Sequence, residues 1–335
     1  MKKLLILLLS AFGIIAISFA VAGYVIVLKP NVARNGLLYI PTGSNYKTVC
    51  DSLFHNGFLK SQARFEWVAK YKKYPSKVKP GCYRITKNLN NRRLLNMLIS
   101  GNQCEIKLSI NNVRTVYDLA KKIGNDLESD SAQIIDAMLN NDFLIENETD
   151  SNNVISVIIP NTYNVYWTTS PEKFLERMLK ENKKLWTNER LQKAKKLSLT
   201  PAEVVTLASI VNQESNKDDE KATIASVYLN RLKIAMPLQA DPTVVFANSD
   251  FTIKRVLHKY LTIDSPYNTY KNKGLPPGPI HLPSISSIDA VLNPAETDYL
   301  YFCAKDDFSG YHAFASTLEE HNNNAAKYRI ALSLR

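Results

Sequence analysis

Thr200-Pro201-Ala202-Glu203-Val204-Val205-Thr206-Leu207-Ala208-Ser209-Ile210-Val211-Asn212-Gln213-Glu214 decides how the C-terminal half of this chain is read. Thr200 offers an N-cap oxygen, Pro201 suits the first helical position, and Glu203 can reach back to the cap. The spacing predicts a helix whose buried face carries Val204, Leu207, Ala208 and Val211 at i, i+3, i+4 and i+7. Glu214 extends that face. A carboxylate there has apolar neighbours and meets the negative end of the helix dipole, and both effects raise its pKa. A raised pKa is what a general acid needs near neutral pH. The same spacing also suits a helix-end glutamate that merely reaches solvent, so the rest of the chain has to decide.

Asp218 or Asp219 starts a further helix with Ile224, Val227 and Tyr228 on its inner face. Met236-Pro237-Leu238-Gln239-Ala240-Asp241-Pro242-Thr243, Tyr267-Asn268-Thr269-Tyr270 and Gly274-Leu275-Pro276-Pro277-Gly278-Pro279-Ile280 follow. Polar and aromatic side chains on proline-stiffened loops are the material of a sugar cleft, where amides and hydroxyls meet substrate hydroxyls and rings stack on sugars. Each stretch alone could be turn chemistry, and Asp241 before Pro242 reads equally as a helix cap.

With these motifs, and with Ala225-Ser226-Val227-Tyr228-Leu229-Asn230-Arg231-Leu232, Asn293-Pro294-Ala295 and Gly310-Tyr311-His312-Ala313-Phe314, the chain resembles the endolytic murein transglycosylases of the YceG-like family. The resemblance implies Glu214 as the catalytic acid and base, acting on the β-1,4 bond between N-acetylmuramic acid and N-acetylglucosamine. It implies 1,6-anhydro ends, termination of glycan elongation, and no cofactor or metal. Hydrolytic glycosidases generally use two carboxylates. A lytic transglycosylase manages with one, because the C6 hydroxyl of the muramic ring attacks its own C1. Gln239, Asp241, Thr243, Tyr267 and Asn268 are the candidates for binding substrate or orienting Glu214. Three positions depart from the family pattern: Asn212 where a second glutamate is common, Asn293 where histidine is, and Ser284 where glycine is. Two other readings stay open: a hydrolytic muramidase with Asp241 as second carboxylate, and a non-catalytic glycan-binding scaffold of the division machinery.

Upstream, the order from Leu37 to Gly101 reads strand, helix, helix, strand, helix, with Asn90 or Asn91 capping the last. This stretch looks like the LysM-like subdomain that precedes the catalytic one in the family. Thr48-Val49-Cys50-Asp51 is echoed by Thr115-Val116-Tyr117-Asp118, which suggests a partial second strand-helix copy. The expected class is α+β. Residues 1–35 form a cytoplasmic stub and transmembrane anchor, 36–105 the LysM-like module, 106–153 the partial second unit and linker, and 154–335 a mixed α/β transglycosylase domain.

Leu4 to Leu28 carries no charge. As a helix it would cover about 37 Å at about 1.5 Å per residue, more than the roughly 30 Å of bilayer hydrocarbon. Lys2 and Lys3 before it place the N-terminus in the cytoplasm and the body outside, in a single-pass inner-membrane topology. Ala20-Val21-Ala22 would instead suit signal-peptide cleavage, although the apolar run continues past that point. Net charge is +11, with lysine and arginine spread along the chain instead of forming a basic stripe. That favours a solvated surface near anionic lipid or wall polymer over nucleic acid. The partners expected are therefore peptidoglycan strands, the inner membrane and, by the resemblance, peptidoglycan synthases. Cys50, Cys82, Cys104 and Cys303 show no metal-ligand spacing, and their pairing is not legible from sequence. A reporter fused after Arg335 should be active only outside the cytoplasm; cytoplasmic activity would contradict this topology.

Overall fold

The structure, a computed structural model, describes residues 2–334. The chain is mixed α+β and divides into two compact units. One comprises the residues up to Leu108 with Asp126–Ser129 and Asn164–Ser170, and the other comprises Ser109–Asn125, Asp130–Tyr163 and the residues from Pro171 on.

The first unit opens with α1 (Lys2–Gly23), which continues through a π-helical turn at Tyr24–Leu28. No residue of α1 is buried. Together these segments are long and apolar enough to cross a membrane, a property shared by anchors and signal sequences. Then come β1 (Gly36–Ile40), α2 (Tyr46–His55), α3 (Gln62–Tyr71), β2 (Gly81–Ile85) and α4 (Asn91–Ser100), in the order read from the sequence. Asn45, Ser61 and Asn90 cap the three helices, each side-chain oxygen accepting the backbone N–H three residues on. β1 and β2 pair antiparallel, with Leu38 opposite Tyr83. Leu38 and Ile40 point inward while Leu37 and Tyr39 face out, the period of two that a half-buried strand imposes. The inward side meets Val49, Leu53, Phe65, Val68, Leu94 and Leu98. Two buried asparagines tie the segment after α1 to this core. Asn31 Nδ2 donates to Ser61 O at 2.8 Å and Asn91 Oδ1 at 2.9 Å, and Asn91 Nδ2 donates to Ile26 O at 2.7 Å.

β3 (Glu105–Ile110) pairs with β4 (Asn161–Tyr166), and between them run α5 (Val116–Gly124), α6 (Ser131–Met138) and α7 (Asn141–Glu146). The suggested echo does not hold in register. Thr115 is the N-cap of α5, closing a capping box with Asp118, whereas Thr48 is already inside α2, whose cap is Asn45. Four similar residues therefore occupy different helical positions.

The remainder of the second unit is α8 (Pro171–Leu185), α9 (Asn188–Lys196), α10 (Pro201–Glu214), α11 (Asp218–Lys233), α12 (Asp241–Ala247), α13 (His258–Leu261), α14 (Ile285–Leu292), β5 (Tyr301–Ala304), β6 (His312–Ala315) and α15 (Leu318–Ser333). Thr200 and Glu203 form the expected capping box at the start of α10. The expectation of one buried face understates that helix, because every residue from Val204 to Val211 is buried. It packs against α11, α12 and α14, and its apolar side chains meet Ile224, Tyr228, Val291 and Leu292. Thr206 and Ser209 satisfy their buried hydroxyls on their own helix, donating to Ala202 O at 2.9 Å and Thr206 O at 2.6 Å. β5 and β6 form an antiparallel hairpin on which α15 packs.

All four cysteines are free thiols, but Cys82 Sγ and Cys104 Sγ lie 3.4 Å apart, and Cys104 N–H donates to Cys82 O at 2.7 Å. Mild oxidation of the folded protein with diamide should join these two and leave Cys50 and Cys303 open to alkylation after unfolding. A peptide map that shows Cys50 or Cys303 cross-linked instead would contradict this arrangement.

Candidate active site

Glu214 closes α10, and its half-buried carboxyl is met by the next helix. Tyr228, on α11, donates its hydroxyl to Glu214 Oε1 at 2.6 Å. One turn further along α11, the buried Arg231 donates through Nε to Leu300 O at 2.7 Å and through Nη1 to Leu238 O. These bonds hold the guanidinium in place near Glu214 without a direct ion pair.

Desolvation dominates the electrostatics, pushing the Glu214 carboxyl up from 4.5 to about 7. The Tyr228 hydroxyl opposes this by favouring the ionised form; the negative charge of Asp241 adds to the rise, and Arg231 subtracts from it. Tyr228 itself is held well above the usual phenol range, by burial first and by the Glu214 charge second. It is therefore a fixed donor at neutral pH. Near pH 7 this leaves one carboxyl poised to give or take a proton.

A cavity of about 390 Å³ opens beside it, lined by Gln213, Glu214, Asp241, Val245, Phe246 and Ile280 and by Arg114, Phe251, Lys254 and Arg255. That volume lies within the range of small-ligand sites. A larger cavity of about 830 Å³ sits by the start of α10, lined by Lys196, Thr200, Glu203, Leu229, Lys233 and Gly274 to Pro277 among others. Glu214 lies in the smaller cavity, which makes that cavity the candidate site. The proline-rich loop read as cleft material borders both cavities: Gly274 to Pro277 face the larger, and Ile280 the smaller.

The candidate residues around Glu214 fall into different places. Asp241 shares its cavity. Asp241 is not a side-chain cap; it is the first residue of α12, and its Oδ1 accepts the Tyr270 hydroxyl at 2.6 Å. Thr243 is fully buried and its hydroxyl is committed to Ala240 O at 2.7 Å and Thr269 Oγ1 at 2.8 Å. Asn268, also buried, donates to Leu261 O and Ile263 O, both at 2.9 Å, and accepts Tyr270 N–H at 3.1 Å. It shapes the loop that brings Tyr270 to Asp241. Tyr267 packs on Phe246, with ring centroids 4.7 Å apart, behind the cavity wall. Gln239 is exposed and adopts a left-handed backbone (φ 49°), with its N–H on Thr269 O at 3.0 Å. Asn212 accepts from Ser284 N–H at 3.1 Å and Ser287 Oγ at 2.9 Å. Its side chain thus fastens the start of α14, whose N-cap is Ser284.

Tyr228, Tyr270, Arg231 and Arg114 were not singled out as site residues by the sequence reading. Tyr228 carried a signal only as an inner-face aromatic, and its partnership with Glu214 depends on how the turn at residues 215–217 sets α11 against α10.

The arrangement defines an α+β protein with a half-buried acid of raised pKa, and a second carboxylate in Asp241, at a cavity of about 390 Å³. The chain belongs to the YceG-like family, whose model matches residues 38–327. It is 34% identical over 307 residues to an endolytic murein transglycosylase of Bacillus subtilis, covering 86% of this chain and 83% of that protein. An endolytic murein transglycosylase of Streptococcus pneumoniae is 29% identical over 96% of this chain, which spans 63% of the pneumococcal protein. The crystal structure of a yceG-like protein from Listeria monocytogenes superposes with a TM-score of 0.58 at 30% identity, covering 87% of this chain and 98% of that one.

The raised acid has a consequence for stability. In the unfolded chain Glu214 ionises from about pH 4.5, and in the folded one only near 7. Between those values the unfolded state holds fewer protons, so stability falls as pH rises through that window. Glu214→Gln should match the wild type in the free energy of urea unfolding below pH 4.5 and exceed it above pH 7, by up to about 3 kcal/mol. A variant less stable than wild type at pH 8 would refute this electrostatic account.

Proposed function

We propose that this chain is an endolytic murein transglycosylase in which Glu214 serves first as acid and then as base. The observation that carries the reading is the Glu214 carboxyl pushed up to about 7, held by Tyr228 at the edge of a cavity. Relatives named endolytic murein transglycosylases, similar over most of the chain, supply the substrate.

Protonated Glu214 gives its proton to the oxygen of the β-1,4 bond between N-acetylmuramic acid and N-acetylglucosamine, and the glucosamine leaves as an alcohol. The carboxylate so formed is stabilised by the Tyr228 hydroxyl. It then takes the proton of the muramic C6 hydroxyl as that oxygen bonds to C1, which closes a 1,6-anhydro ring and returns Glu214 to its acid form. No water or protein nucleophile is consumed. Holding the ring so that its own hydroxyl attacks is a proximity effect worth several kcal/mol. Asp241, negative and in the same cavity, favours positive charge developing at C1 while raising the Glu214 pKa. Its presence is also what would support a hydrolytic muramidase, distinguished by a product that retains water at C1.

In this reading α1 anchors the enzyme in the inner membrane, with the N-terminus cytoplasmic and the chain from β1 onward outside. Residues 36–105 act as a LysM-like module on glycan strands, a role supported by the strand-helix-helix-strand order of β1, α2, α3 and β2. Cleavage of nascent strands ends their elongation by peptidoglycan synthases.

Glu214→Gln keeps shape and removes the proton. Release of anhydro-ended fragments from sacculi, read by mass spectrometry, should drop by about 10²–10⁴-fold. Glu203→Gln, at the capping box of the same helix, should cost less than about 1 kcal/mol of stability and keep activity. A folded Glu214→Gln protein that releases these fragments at the wild-type rate would remove Glu214 from the mechanism.

A further inference from the structure

The wall of the Glu214 cavity carries more positive charge than cleavage of a neutral sugar bond requires. Arg114, Lys254 and Arg255 all line it. Arg114 lies just before α5 and stacks over the Phe251 ring, its guanidinium carbon 4.3 Å from the centroid. Lys254 and Arg255 are exposed on the segment after Phe251. None of the three forms an ion pair with a carboxylate among the described residues. Nor do they hold Glu214, whose ionisation answers to burial, Tyr228, Asp241 and Arg231. Three cations against Asp241 leave the cavity with a positive excess that an anion would offset, and guanidinium groups suit carboxylates through paired N–H donors.

We infer that Arg114, Lys254 and Arg255 form a subsite for the carboxylates of the peptide stem borne by the muramic residue at the reacting bond. This rests on the transglycosylase reading and deepens it, because the substrate becomes the peptide-bearing strand in preference to the stripped one. The chemistry of the polymer supplies the anion. Its sugar rings are neutral, and where a stem is present the lactyl carboxyl at muramic O3 is tied up in the amide to the peptide, so the free carboxylates are the peptide's own. A stem held on the cationic wall fixes the rotation of the muramic ring whose C1 and C6 hydroxyl must react, so anion binding also orients the attack. Because the contact is electrostatic and partly exposed, it weakens as salt rises.

The test separates binding from chemistry. On the uncleaving Glu214→Gln protein, calorimetry would compare a disaccharide-tetrapeptide with the same compound after amidation of its carboxyl groups. The acid form should bind about tenfold or more tightly at low salt. Lys254→Gln with Arg255→Gln and Arg114→Gln should erase that preference, whereas Lys254→Arg with Arg255→Lys should keep it. With active enzyme, the kcat/KM ratio for peptide-bearing over amidase-stripped strands should fall toward one in the same glutamine variant, through KM. Equal affinity for the two compounds, or a preference that survives in the glutamine variant, overturns the subsite. Absence of cleavage of either strand by wild type would instead overturn the proposed reaction, an outcome that the calorimetry reads independently.

Discussion

The hydrogen bond of 2.6 Å from Tyr228 to Glu214 joins two demands that pull apart. A carboxyl at the end of a buried helix resists ionisation, and a proton donor aimed at it makes ionisation possible. Without burial Glu214 would be an ordinary acid, spent of its proton at neutral pH. Without Tyr228 it would hold that proton too tightly to serve as a base in the second half of a reaction. The compromise near 7 depends on α10 being surrounded by α11, α12 and α14, and on the bonds from Arg231 to Leu300 and Leu238 that keep a compensating charge at a fixed distance. The core of the second unit is in this sense the device that sets the acid.

The same layout explains why several polar residues close to the site in sequence do not present themselves to a ligand. Thr243 and Asn268 satisfy backbone groups in a tightly folded stretch that would otherwise leave buried amides unpaired. Their work is to deliver Asp241 and Tyr270 as a pair. Asn212 likewise anchors α14 to α10. A carboxylate would serve less well there, since Asn212 accepts from two donors inside a packed junction without bringing a second negative charge beside Glu214.

Local chemistry made α10 legible. Thr200, Pro201 and Glu203 mark its start, the apolar spacing marks its body, and Glu214 stands out as a charge where burial continues. Asn90 acted the same way at the start of α4. What escaped the sequence reading was set by contacts between distant elements. Tyr228 looked like any inner-face aromatic, because only the turn into α11 reveals its hydroxyl as a donor to Glu214. Arg114 is a hundred residues upstream in the chain of the acid whose cavity it shares, on the order that no helical or strand period spans. Cys82 and Cys104 lie 22 residues apart and meet only through the packing of residue 104 against β2. At Thr115 the strand-helix order of β1 and α2 recurs in β3 and α5, but the four similar residues differ in meaning, at a cap in one helix and inside the other.

The central claim concerns one proton, and it can be watched directly. Carbon-13 spectra of protein labelled at glutamate carboxyls, followed from pH 4 to 9 and assigned by the resonance missing from Glu214→Gln, should show Glu214 titrating near 7. A Glu214 carboxyl that titrates near the ordinary 4.5 in the folded protein would contradict the account.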